Sequence, residues 1–223
     1  MKPQTRRRLE RVFTLLLSLW LILFAYRMTV ESGERGFFAF DQAIVFDGGY
    51  RILSGQIPFK DFVIPFGPVT FWLQGWTFHR FGVSYGSYLL GAALVNVLAV
   101  VVSGAILKIL FPHRTLLPFA AGFLTAIWFY PPNGTPWPEQ TAFFFCLTAL
   151  LMTVFGLTHQ RMQGWIKRML YFVAGLLLWV AFLSKQNAGA FFVPVIVLLF
   201  LVNSFSRQSK TSSKISLEPK TFL

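Results

Sequence analysis

PVTFWLQGWTFHRFG, residues 68–82, is apolar enough to pass for a membrane span, and every later loop changes sides if it crosses. Hydrophobic residues make up 55% of the 223-residue chain and aromatic ones 18%, whereas charged residues reach only 13%. A soluble domain carries about twice that charged fraction to solvate its surface, so the composition reads as an integral membrane protein. Apolar runs recur at 12–26, 87–107, 116–130, 141–157, 169–184 and 188–202. Most approach the roughly 17–25 residues that cross a hydrocarbon core of about 30 Å. The shorter ones fit through snorkelling flanks or a locally thinned bilayer.

The basic residues settle how 68–82 is read. The formal net charge is +12. Lys2, Arg6, Arg7, Arg8 and Arg11 precede the first run, Lys108 and Arg114 follow the second, Arg161, Lys167 and Arg168 separate the fourth from the fifth, and Arg207, Lys210, Lys214 and Lys220 form the tail. All of these fall on one side of a six-span chain with both termini cytoplasmic, which leaves Arg27, Arg35, Arg51, Lys60, Arg80 and Lys185 outside. A crossing at 68–82 would move the later clusters outside and break that bias. Pro68 suits a helix's first turn, and Trp72 and Trp76, one turn apart, suit the headgroup region, so the stretch reads as an interfacial or protein-packed helix. The basic balance is then a matter of topology: the partner it implies is the lipid bilayer, and nucleic acid is not expected.

The expected fold is all-α and integral to the membrane, with about six transmembrane helices plus interfacial helices in a long first external loop, placed in the plasma (inner) membrane. Residues 1–203 read as one transmembrane domain and 204–223 as a Ser/Lys-rich cytoplasmic tail, expected to be disordered. RRRLER and the run after it resemble a signal peptide, but YRMTVESGERG offers no small-x-small cleavage site, so the first run reads as an uncleaved anchor. The lone Cys146, inside an apolar run, excludes a disulfide framework and a cysteine metal site. His79 stands alone and His113 and His159 fall in cytoplasmic loops, which argues against a histidine metal site. Asn133-Gly-Thr135 matches a glycosylation acceptor but precedes Pro136, and it reads as a turn.

Chemistry is thereby confined to the external loops and their membrane edge. FDQAIVFDGGYRILSGQIPFKDF, residues 40–62, holds three carboxylates. Phe40, Ile44, Val45 and Ile52 recur at helical spacing, so residues 37–54 read as a helix on the membrane surface. Asp41, near its start, has two readings: a helix-dipole or capping carboxylate, or a reactive one. Asp47 lies six residues on, about 120° around the helix, so the two do not pair on one face. Asp61 follows Pro58-Phe59 in a turn, where an Asx-type bond to backbone is the commoner use. Glu139 opens the fourth span. Lys60, Arg80 and Lys185 are external cations that either meet a phosphate or snorkel to headgroups.

Asp41, Gly55, IPFKDF at 57–62, Pro68 and FHRFG at 78–82 together resemble the first periplasmic loop of the C-type fold glycosyltransferases. These multispanning enzymes take sugars from polyprenyl-phosphate donors, as the protein mannosyltransferases and lipid A aminoarabinose transferases do. The resemblance covers about the first eighty residues, and the later spans agree by hydropathy alone. It implies a polyprenyl-phosphate sugar donor, a glycan, lipid or protein acceptor, and Asp41 in the place of the catalytic base. Glu139 lies where the family often has a second carboxylate, with Asp61 and Asp47 as further candidates. Lys60, Arg80 and Lys185 are the candidates for the donor phosphate, with a divalent ion (Mg or Mn) as an optional helper. The chain departs from the family at Gln42, where Glu is frequent, and at PFGP (65–68), where Lys-Pro-Pro or Pro-Pro is usual, so a phosphate or metal contact is absent or supplied elsewhere.

Such a transfer needs no acid on the leaving phosphate, but it needs a base for the acceptor hydroxyl and cations for the phosphate. The resembled enzymes continue into further spans, so this chain is expected to carry the candidate base without being a competent transferase by itself. The rival reading is a non-enzymatic six-span transporter or envelope-assembly protein. Transporters commonly place ionisable groups at mid-membrane depth, whereas Asp41, Asp47, Asp61 and Glu139 all sit in loops or at span ends.

Overall fold

The computed structural model describes residues 3–37, 39–130 and 134–216, so Asn133 of the glycosylation-like turn lies outside the described residues. All regular elements described are helices: α1 (Pro3–Gly33), α2 (Asp41–Leu53), α3 (Val69–Phe81), α4 (Tyr85–Leu110), α5 (Leu116–Trp128), α6 (Pro138–Thr158), α7 (Gly164–Ser184) and α8 (Gln186–Ser216). The protein is an all-helical, multi-pass integral membrane protein, and five of these helices, α1, α4, α6, α7 and α8, are long and apolar enough to cross a bilayer.

The sixth expected span, α5, is a shorter apolar helix. Its 13 residues rise about 20 Å, roughly two-thirds of a hydrocarbon core. The equally short α3 has one face buried, through Phe71, Gln74, Gly75 and Phe78, while Trp72 and Trp76 stay about half exposed. It is protein-packed on one side, one of the two arrangements expected for 68–82. Helix α8 runs on to Ser216, through the first part of the segment read as a disordered tail, and residues 217–223 lie outside the described residues.

Local chemistry sets several boundaries. Ser84 and Ser87 form a reciprocal capping box that starts α4. Pro138, whose missing N–H would find no helical partner there, occupies the first position of α6. Helices α7 and α8 are separated by Lys185 alone, which has an extended backbone.

Packing divides into three small cores. Leu21, Ala25, Val100 and Ala126 join α1, α4 and α5; Ala142, Cys146, Ala181 and Ala188 join α6, α7 and α8; Val45, Phe78 and Tyr88 seat α2 and α3 on α4. Alanines dominate the first two because lipid offers no hydrophobic drive for helix association, and close backbone approach supplies the attraction instead. Within the first core, fully buried Asn96 donates to the Ala25 carbonyl at 3.2 Å, to Thr29 Oγ1 at 2.8 Å and to the Ala126 carbonyl at 3.3 Å. One side chain thus ties three helices together.

Candidate active site at the loop end of the bundle

The ends of α1 and α7, the starts of α4, α6 and α8, and the short helices α2 and α3 gather at one end of the bundle. Tyr85 at the start of α4 donates its hydroxyl to the carbonyl of Gly33, the last residue of α1, at 2.6 Å. Gly134 sits against the Gly33 backbone with φ +66°, so a side chain there would meet both a left-handed backbone and a neighbouring chain. Gly67 packs so closely on the Leu183 carbonyl that no Cβ fits, and its N–H donates to the Ser184 carbonyl at 3.2 Å. Ser184 Oγ lies 3.0 Å from Thr70 Oγ1 and donates to the Pro138 carbonyl at 3.1 Å. The loop before α3 is thereby locked onto the junction of α6, α7 and α8.

This junction brings together two residues that lie 46 positions apart. Lys185 Nζ meets Glu139 Oε1 at 2.8 Å, with both side chains about one-third exposed. The ammonium also lies 5.8 Å from the Phe66 ring centroid. The neighbours of Lys185 are thus a carboxylate and an aromatic face. The Glu139 Oε2 and Gln140 Oε1 atoms, both on residues of the first turn of α6, are buried with no hydrogen-bond partner. Buried acceptors without donors are costly, and binding sites are where such costs are found.

The other candidates are dispersed around this end. Asp41 is exposed as the first residue of α2, and the N-cap before it, Phe40, offers no side-chain cap. The next residue is held from below, since Tyr88 donates its hydroxyl to the Gln42 carbonyl at 2.9 Å. Asp47 is engaged by Arg51 at 2.6 Å in an exposed i,i+4 pair. Asp61 Oδ2 accepts the Ile57 N–H at 2.8 Å and so closes the turn in which Phe59 adopts φ +66°. Lys60 is exposed in that turn, and Arg80 is exposed in the last turn of α3. No described contact joins either of them to Glu139.

A cavity of about 540 Å³ on the outer face of α2 is lined by Phe37, Phe46, Asp47, Tyr50 and Tyr85. A second, of about 340 Å³, lies between the 55–59 turn and Trp72. Neither is lined by Asp41, Glu139 or Lys185. Among the described residues, no three His, Cys, Asp or Glu side chains come together. The described residues thus offer no cluster that holds a divalent ion by protein groups alone.

Sequence reasoning missed Thr70, Ser184, Tyr88 and Gln140, because neutral polar residues at span ends give no local signal and their roles arise from contacts far along the chain.

An all-helical bundle with five helices long and apolar enough to span a bilayer defines a multispanning membrane protein, and its polar junction gathers at one end. The family described as dolichyl-phosphate-mannose-protein mannosyltransferase matches residues 65–218, more than half of the chain, and the chain belongs to that family. The matched segment includes Phe66, Glu139 and Lys185, and begins after Asp41, Asp47, Lys60 and Asp61. No curated protein and no solved structure matches the chain.

Proposed function

We propose that the loop end takes part in transferring a sugar from a polyprenyl-phosphate donor to an acceptor hydroxyl on the outer face of the plasma membrane, with both termini in the cytoplasm. The family's description names mannose on dolichyl phosphate, and a mannosyl donor is the first to test. The observation that carries the reading is the Glu139–Lys185 pair, which lies within the family-matched segment at the end where Asp41 opens α2.

In this reading the Asp41 carboxylate takes the proton of the acceptor hydroxyl, whose oxygen bonds to the anomeric carbon as the bond from that carbon to the phosphate oxygen breaks. The phosphate departs as a stable anion and needs no acid. Lys185 has three donors, one of them on Glu139, which leaves two for phosphate oxygens. Glu139 holds the ammonium in place and is the second carboxylate. Asp47 and Asp61 are less suited to that role, since one is paired with Arg51 and the other closes a turn. Lys60 and Arg80 are the more exposed phosphate candidates.

Native membranes containing the protein, which also supply any subunit that completes the site, should incorporate label from polyprenyl-phosphate mannose or another polyprenyl-phosphate sugar into lipid, glycan or protein, whereas the purified chain alone should not. Asp41→Asn should abolish incorporation at unchanged protein level. Equal incorporation by the variant would remove Asp41 as the base, and label crossing the membrane without covalent transfer would favour the transporter reading.

A further inference from the structure

At the opposite end of the bundle, a groove of about 490 Å³ runs between α1 and the α4–α5 hairpin. We propose that it binds an acidic glycerophospholipid of the adjacent leaflet, with one acyl chain in the groove and the headgroup on Lys108 and its basic neighbours. The walls include Leu21, Ile22, Val101 and Phe119, and the small residues Gly104 and Ala105 leave room for a chain. Thr14 and Ser18 also line the groove, but their hydroxyls are satisfied on their own helix, by the Glu10 and Thr14 carbonyls at 2.8 Å each. The interior therefore offers an acyl chain no polar group that needs a partner.

The mouth has the complementary chemistry for an acidic headgroup. Lys108 lines it and donates to the Pro112 carbonyl at 2.9 Å, which leaves two ammonium donors free. Arg114 adjoins the groove-lining Thr115. Arg11 lies seven residues before Ser18, which brings it to the same face of α1. Glu10, the lone carboxylate of this end among the described residues, already has a partner. A basic pocket between transmembrane helices recognises anionic headgroups through charge, and the apolar trough behind it adds the chain. A free phosphate would satisfy the cations but leave the trough unfilled.

The test uses the whole protein, purified and delipidated, titrated with phosphatidylglycerol or phosphatidylcholine and followed by native mass spectrometry and thermal unfolding. Phosphatidylglycerol should stay bound and raise Tm, and phosphatidylcholine should do neither. Lys108→Gln should weaken phosphatidylglycerol binding about fivefold. Ala105→Phe, which fills the trough, should remove the phosphatidylglycerol-specific shift while Tm in phosphatidylcholine is kept. Lys167→Gln with Arg168→Gln, at the same end but away from the groove, should bind normally. The proposal fails if Lys108→Gln binds phosphatidylglycerol as wild type does, if the Lys167/Arg168 control loses binding equally, or if inorganic phosphate displaces the lipid. It also fails if a second copy of the chain, rather than lipid, accounts for the Tm shift. None of these readouts uses sugar transfer, so the outcome is independent of the loop-end assignment.

Discussion

Asp41 and Asp47 share one helix and meet different surroundings: the first is exposed at the N-terminus of α2, the second is bound to Arg51. The spacing of six residues already separates their faces, and the helix read over 37–54 already places Arg51 one turn after Asp47, but sequence reasoning did not pair them. Asp41→Asn removes a carboxylate at a helix start, worth about 0.3–1 kcal/mol to stability, so expression should hold while transfer is lost. Asp47→Asn breaks an exposed pair worth about 0–1 kcal/mol and should leave transfer near wild type in the same membrane assay. Asn96 makes a contrasting case, a buried amide that hydropathy reads merely as a polar interruption in an apolar run. Asn96→Ala deletes three hydrogen bonds inside the bundle and should cost about 0.6–1.7 kcal/mol in reversible unfolding from mixed micelles. Unchanged stability would show that the amide does not tie α1, α4 and α5 together.

Among the elements, long apolar runs were the most legible, because twenty or so apolar residues have one stable arrangement in lipid. The runs at 87–107 and 141–157 each became the middle of a longer helix, and the run at 169–184 became the C-terminal part of α7. Legibility fell at α5, whose apolar run was read to 130 but whose helix stops at Trp128. It also fell between the runs that end at 184 and start at 188, where the connection is one residue, Lys185, and Gly189 lets the start of α8 lie directly on the Phe182 backbone. The same close approach at Gly67 supplies a prediction. Gly67→Ala forces the 62–68 loop off the end of α7 and should destabilise by about 1–3 kcal/mol. By contrast, Gly86→Ala, in the first turn of α4 where a Cβ meets only Ser84 Oγ at an ordinary 3.8 Å, should be neutral or slightly stabilising by thermal unfolding. Comparable losses at both positions would argue against a tight seam between the loop and α7.

For the molecule as a whole, loop charge predicted which helix ends lie together, and the bundle gathers them that way: Glu139, Lys185, Asp41 and Asp61 at one end, Lys108 and Arg114 at the other. Pairings across the bundle were illegible, because which residues of α6 and α7 meet depends on the rotation of each helix about its axis, and periodicity in a uniformly apolar segment does not fix that phase. The proposed orientation has a direct check. Cysteines placed at His113 or Gln163 should resist an impermeant thiol reagent in intact cells, whereas one at Val63, which is 93% exposed, should react. Cys146 is buried and should stay silent. Reaction at 113 or 163 would invert the model of the chain in the bilayer.

The junction of α7 and α8 also shapes how the loop end can work. With Lys185 as the whole connection between two membrane-length helices, its ammonium hangs on a tether without slack. This wall of the site is joined through one residue of backbone, so the opening that admits a substrate is expected at the 54–62 turn, which leaves a cavity of about 340 Å³ against Trp72 of α3.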